Sequence, residues 1–211
     1  MRHNYLLCAS FCSLLAINFM ILFSCNNTSE TEVVTDTTKV TNTDTSMPNT
    51  PTKVDTMPAT IVNHGEAILS GTYTDTLVEG TVKFDTVPDG RVKLILDVKI
   101  PSKAGKIVSL HIHEHGDCGD AGNLAHGHWN PSNAEHGKFG TASFHAGDIG
   151  NVKLDAQGKG TLTLTTKLWT IGGSPDKNIL GKSIIVHGGM DDYKTQPAGN
   201  SGTRIGCGVI K

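Results

Sequence analysis

The chain is poor in the features that mark several large functional classes. Aromatic residues make up 5% of its 211 residues. No basic cluster is interleaved with them, which removes the usual platform for stacking nucleic-acid bases. The formal charge is only −2, so no whole-molecule field selects a polyanionic or strongly basic partner. No Gly-rich loop precedes an apolar helical pattern, which sets aside phosphate-cradling nucleotide sites. Amphipathic helical periodicity is missing too. What the chain has instead is 24 Gly and abundant Thr, a composition that leans towards strands and turns.

Long apolar runs are limited to one, Tyr5 to Phe23, behind Arg2 and His3 and ahead of Ser24. A short basic start, an apolar middle and a small residue are expected of a secretory leader over 1–24. An uncleaved membrane anchor fits less well, because Ser10, Ser13 and Asn18 break the run. Leu22-Phe23-Ser24-Cys25 resembles a bacterial lipoprotein processing site, which implies a lipid on Cys25 and a membrane-tethered protein in the periplasm or cell envelope. From Cys25 to Thr60 the chain is low in complexity, roughly a third Thr and without aromatics. It is expected to be a flexible tether spanning about 30 Å. The globular domain is expected over 61–211. Of five cysteines, Cys8 and Cys12 fall in the leader and Cys25 takes the lipid. Cys118 and Cys207 remain, an even pair for which a disulfide is the default in an exported domain and two buried thiols the alternative.

Within that domain, period-two alternation predicts short strands. Val82-Lys83-Phe84 leads into a turn at Val87-Pro88-Asp89-Gly90, after which Val92, Leu94, Leu96, Val98 and Ile100 share one face. Val152 and Leu154 precede a turn at Gln157-Gly158-Lys159-Gly160, and Leu162 and Leu164 alternate with Thr. Ser183 to His187 and Ile205 to Ile210 are two further apolar runs. The fold class is all-β, an antiparallel sandwich or barrel. Glu114 to Asp148 and Gly188 to Arg204 break the rhythm, and long loops of this kind are usually functional.

Seven of the ten histidines fall between His111 and Asp148. Imidazole is the commonest metal ligand in proteins, and packing does not explain such a concentration. Two residues apart on a strand, His111 and His113 project to one side, with Ile112 towards the core. His187 ends an apolar run and offers a third imidazole, a set that suits copper(II). His128, His136, His145 and Asp148 form a second set, three imidazoles and a carboxylate, which suits four-coordinate zinc.

Those residues also carry a resemblance. His111-Ile112-His113-Glu114, Gly127-His128-Trp129-Asn130-Pro131, His145-Ala146-Gly147-Asp148-Ile149-Gly150-Asn151, Val186-His187-Gly188-Gly189 and the closing run Gly199 to Ile210 are similar in order and spacing to the copper,zinc superoxide dismutase family. The likeness implies a Greek-key sandwich or barrel with two long functional loops. It implies copper on His111, His113, His128 and His187, and zinc on His128, His136, His145 and Asp148, with His128 as a bridging imidazolate. Asp191 would hydrogen-bond ligands of both metals, Cys118 would pair with Cys207, and Arg204 would attract the anionic substrate. The implied activity is dismutation of superoxide to dioxygen and hydrogen peroxide by cycling copper(II) and copper(I). His128 would also be catalytic, leaving the reduced copper with a proton and passing it to the product. A homodimer is allowed by the resemblance but not required. The alternative is a non-catalytic copper- or zinc-binding storage or delivery protein on the same fold. His64, His115 and His126 have no ligand counterpart in the pattern; His115 and His126 are expected to be solvated loop residues, with weak extra metal capture as the other option. Lys194 is expected to be a solvated loop residue, with substrate guidance as the other option.

Fatty-acid labelling of the expressed chain should mark it, and Cys25→Ser should abolish the label. Label that persists in the variant would remove the lipid from Cys25.

Overall fold

Alternation of inward apolar and outward polar side chains sets the strands of this domain. The computed structural model describes residues 63–211. The leader, Cys25 and the tether expected over 25–60 lie outside the described residues. Among the described residues eight strands are formed: β1 His64–Gly71, β2 Glu79–Thr86, β3 Val92–Lys99, β4 Ile107–His113, β5 Asp148–Lys153, β6 Lys159–Thr166, β7 Ser183–His187 and β8 Arg204–Val209. The paired strands run antiparallel in the order β5-β4-β7-β8-β1-β2-β3-β6. The two ends of this order, β5 and β6, touch, so the sheet curls into a nearly closed barrel. β4, β5 and β6 succeed one another around the wall and β7 returns beside β4, which is Greek-key connectivity.

Cross-strand register explains the interior. Leu94 on β3 lies opposite Phe84 on β2 and Leu164 on β6, and Leu96 lies opposite Val82 and Leu162. Leu94, Leu96, Val82 and Phe84 are wholly buried. Phe84 and Trp169 meet edge to face at 6.1 Å. Trp169 also donates its indole N–H to the Ala146 carbonyl at 2.8 Å, tying the barrel floor to the loop before β5.

Three boundaries differ from the sequence expectation. β1 is a full strand that the pattern does not announce, and His64 opens it. Its inward positions are Gly65, Ala67 and Leu69, two of them small, whereas Ile68 points outward and is 72% exposed, so the apolar signal is inverted. The turn before β6 comes earlier than expected, because the Asp155 carboxylate accepts from the amides of Gln157 and Lys159 and folds the chain back around them. β8 begins one residue earlier than expected, at Arg204.

β4 and β7 are buried on both faces. Leu110 and Ile112 opposite Val186 and Ile184 point into the barrel. His111 and His113 therefore point outward, opposite Ile185 and Ser183, where the segments 114–147 and 188–203 cover them.

The register makes a direct prediction about neighbouring residues on β1. Leu69→Ala should cost about 2–5 kcal/mol in denaturant unfolding, while Ile68→Ala should stay within about 0.5 kcal/mol of the parent. Equal losses would contradict this register.

Candidate metal centre

The two loops gather side chains from four elements on the outer face of β4 and β7. His111, His113, His128 and His187 have ring nitrogens within 4.8 Å of one another. His128, His136, His145 and Asp148 form a second such group, with His128 common to both. All seven residues are buried, none more than 6% exposed. Local geometry explains why. Segment 127–129 runs against the end of β4, with Trp129 donating to Ile112 and Glu114 to Gly127, and this sets His128 opposite His113. Register shifts at Leu110/His111 and Val186/His187 lie directly beside the ligands, where a bulge re-aims a side chain.

His111, His113, His136 and His187 are each oriented through one ring nitrogen, which leaves the other for the cluster. His113 Nδ1 donates to the His126 carbonyl at 2.8 Å, and His187 Nδ1 donates to the Gly202 carbonyl at 3.1 Å. Carbonyls only accept, so both Nε2 atoms carry lone pairs, and these face each other at 3.3 Å. His111 and His136 each donate Nε2 to one oxygen of Asp191, both at 2.9 Å, which spans the two groups. Their Nδ1 atoms, His145 Nδ1 and His128 Nε2 are buried without a hydrogen-bond partner among the described residues. His136 Nδ1 and His145 Nδ1 stand 3.0 and 3.2 Å from the Asp148 carboxylate. Buried lone pairs turned towards one another and towards a carboxylate are costly alone and fit cations. The donor sets fit copper in the first group and zinc in the second.

Titration follows from the same burial. Desolvation, then the neighbouring His128 and His187, pushes His113 well below its ordinary value. Desolvation and His111 take His187 to about 3, and desolvation outweighs the Asp148 hydrogen bond to bring His128 to about 4. Burial also works against His136, but the carboxylates of Asp148 and Asp191 raise it to about 9. Burial would raise Asp148 and Asp191; the His128 ring and the His145 amide, with the close imidazoles of His136 and His145, hold Asp148 well below the usual carboxylate range, and hydrogen bonds from His111 and His136 do the same for Asp191.

Arg204 stands beside this cluster. Its Nη1 and Nη2 donate to the carbonyls of Gly122 and His126 at 2.6 and 2.7 Å, leaving three of five N–H groups. Its charge adds to the forces that keep His113 and His187 neutral. Cys118 and Cys207 form a disulfide that ties the first loop to β8. His115 and His126 lie outside both groups, exposed, and so does Lys194. His64 pairs with Asp85 on the surface.

Sequence reasoning missed the residues that fix the loops. Asn151 accepts from the Asp191 amide and donates to the Asp191 carbonyl, both at 2.8 Å. Gln196 likewise accepts from the His136 amide and donates to its carbonyl, at 2.8 and 3.0 Å. Asn151 lies inside a quoted motif, but nothing in its spacing indicates that it grips the second loop. Gly199, at φ 63°, packs against Asp191 and His136 where a Cβ would collide with both.

The linkage signs can be read from these values. His113, His128 and His187 bind protons less readily folded than unfolded, so the metal-free protein should lose stability as pH falls from about 6.5 to about 4. His136 binds protons more readily folded, so its contribution is complete below about 6.5 and lost as pH rises through about 9. Denaturation midpoints of metal-free protein should peak near pH 6.5, the ordinary histidine value; a flat profile between pH 4 and 6.5 would contradict the buried neutral imidazoles.

Comparisons with known proteins agree with this geometry. The family model described as copper/zinc superoxide dismutase matches residues 78–210. The Cu-Zn superoxide dismutase of Schizosaccharomyces pombe is 34% identical over 151 residues, covering 68% of this chain and 94% of that protein. Cu-Zn superoxide dismutase 1 of Aquifex aeolicus is 37% identical over 108 residues, 49% of this chain; the match spans 64% of that relative's length. Among solved structures, a double mutant of a SOD-like protein from Bacillus subtilis superposes with a TM-score of 0.61 at 32% identity, covering 68% of this chain and 95% of that one.

Proposed function

The chain belongs to the copper/zinc superoxide dismutase family, and on that premise we propose that it dismutes superoxide to dioxygen and hydrogen peroxide. The observation that carries the reading is His128, a member of both ligand groups, with Nδ1 on Asp148 and Nε2 without a partner, beside a guanidinium with N–H groups to spare. A storage module needs neither a shared ligand nor an anion-attracting cation. Copper held by His111, His113, His128 and His187 would supply a one-electron couple, and zinc held by His128, His136, His145 and Asp148 a redox-inert charge.

The chain's own residues supply the rest. Arg204 is permanently charged and already fixed by two carbonyls, so its remaining N–H groups can receive a small anion without further ordering. Dismutation of two superoxide ions consumes two protons. His128 Nε2 is the atom suited to carry one, since it has no hydrogen-bond partner while Nδ1 is held at 2.8 Å from Asp148. Asp191 keeps His111 and His136 in one tautomer while this proton moves.

Export and a lipid on Cys25 complete the proposal. The leader pattern supports both, and the Cys118–Cys207 disulfide, a bond that persists in oxidising compartments, supports export.

Protein loaded with copper and zinc should accelerate superoxide decay, and Arg204→Ala should cut the rate about tenfold or more and flatten its dependence on ionic strength, with both metals retained. Loaded protein that decays superoxide no faster than solvent would leave a storage or delivery module. Loss of copper from Arg204→Ala would make that residue structural.

A further inference from the structure

A third group of potential ligands stands outside the buried pair. One carboxylate oxygen of Glu114 and one ring nitrogen each of His115 and His126 lie within 4.8 Å of one another, all three on exposed residues. The two rings approach to 4.2 Å between centroids, tilted by 41°. From these positions we propose a third, solvent-facing metal site on Glu114, His115 and His126 that takes a divalent transition ion, copper(II) or zinc(II).

Side chains on a mobile loop would make this proximity incidental, but the backbone here is fixed. The Glu114 amide donates to Gly127 and the His115 amide to Ala125, so the two short segments are laced together on either side of the intervening loop. The His115 carbonyl accepts from Ser183 Oγ on β7 at 2.7 Å. His126 has φ 62° and ψ −143°, a conformation that glycine favours and that costs a histidine free energy. Its carbonyl is held at the same time by His113 Nδ1 and by Arg204. That arrangement turns the His126 carbonyl inward to the buried cluster and sets its ring outside, against His115. The Cys118–Cys207 disulfide anchors the loop between the two histidines.

The donor set selects the ion. Two imidazoles and one carboxylate match the ligands of zinc(II) and copper(II), whereas magnesium and calcium require oxygen shells. Copper(II) should bind more tightly than zinc(II), following the ordinary order of affinity for nitrogen and oxygen donors. Three protein ligands leave at least one position to water or to an exchanging carrier. Exposure makes the site labile, in contrast to the buried groups, so it suits capture and exchange of the ion.

The proposal does not rest on dismutase activity, and its test reads metal content. Purified protein is first exposed to copper and zinc to fill whatever the buried groups hold, then equilibrated with free zinc at up to about 100 µM, a concentration that would reveal even modest affinity. Zinc uptake is compared with that of His115→Ala and Glu114→Gln, both of which keep the backbone bonds described. The wild type should hold one equivalent more than His115→Ala, and Glu114→Gln should bind that equivalent about tenfold more weakly. A copper(II) titration should give the wild type a further nitrogen-ligated signal, beyond that of the buried groups, which His115→Ala lacks. Equal metal content in wild type and His115→Ala would overturn the site, whatever the buried groups contain. Failure of the buried groups to fill would count against the dismutase reading and leave this difference measurement intact.

Discussion

Two ring nitrogens, His113 Nε2 and His187 Nε2, face each other at 3.3 Å inside the fold, each barred from donating because its partner nitrogen already donates to a carbonyl. Neither can be protonated readily, for burial and the neighbouring imidazoles and Arg204 all oppose it. The opposing lone pairs require a cation that is not a proton. The surrounding structure holds them there regardless: a barrel wall that fixes β4 beside β7, and two loops that exclude water. Because the ligands leave the wall on its outer face, the barrel's hydrophobic interior and the metal chemistry do not compete for space.

The second group solves a related problem by different means. Asp148 supplies the negative charge, yet it is buried and tied to His128 and to the backbone amides of Gly137 and His145. Asp191 adds a second buried carboxylate whose two oxygens bind one imidazole from each group. A proton on His136 partly offsets these charges in the metal-free protein, and a metal ion would do so with correct coordination. Metal binding is consequently linked to folding of both loops, since their ligands share carboxylates and ring nitrogens. Asn151 and Gln196 grip the backbone at Asp191 and His136, so the two loops close as one unit.

Much of this was legible in the sequence, for identifiable reasons. Strand parity put His111 and His113 on one side of β4 with Ile112 on the other, because a two-residue period leaves no alternative. Val92 through Val98 announced β3 in the same way. The family motifs supplied what parity alone did not, the membership of His128 in the first group. β1 was hidden because its inward residues are small and its bulkiest apolar residue, Ile68, faces solvent. Asn151 and Gln196 were hidden because side-chain amides that clamp a distant backbone have no local signature. His115 is a sharper lesson. It is in phase with the strand pair, but β4 ends at His113, and beyond that point the period no longer assigns a face.

The central claim is that one imidazole, His128, serves both groups. Electron paramagnetic resonance of protein carrying copper(II) in both buried groups tests it most directly. A shared ring should couple the two spins, so the low-temperature signal should fall far below that of two isolated ions and recover as zinc replaces copper in the second group. Two full and independent copper signals would contradict a shared His128.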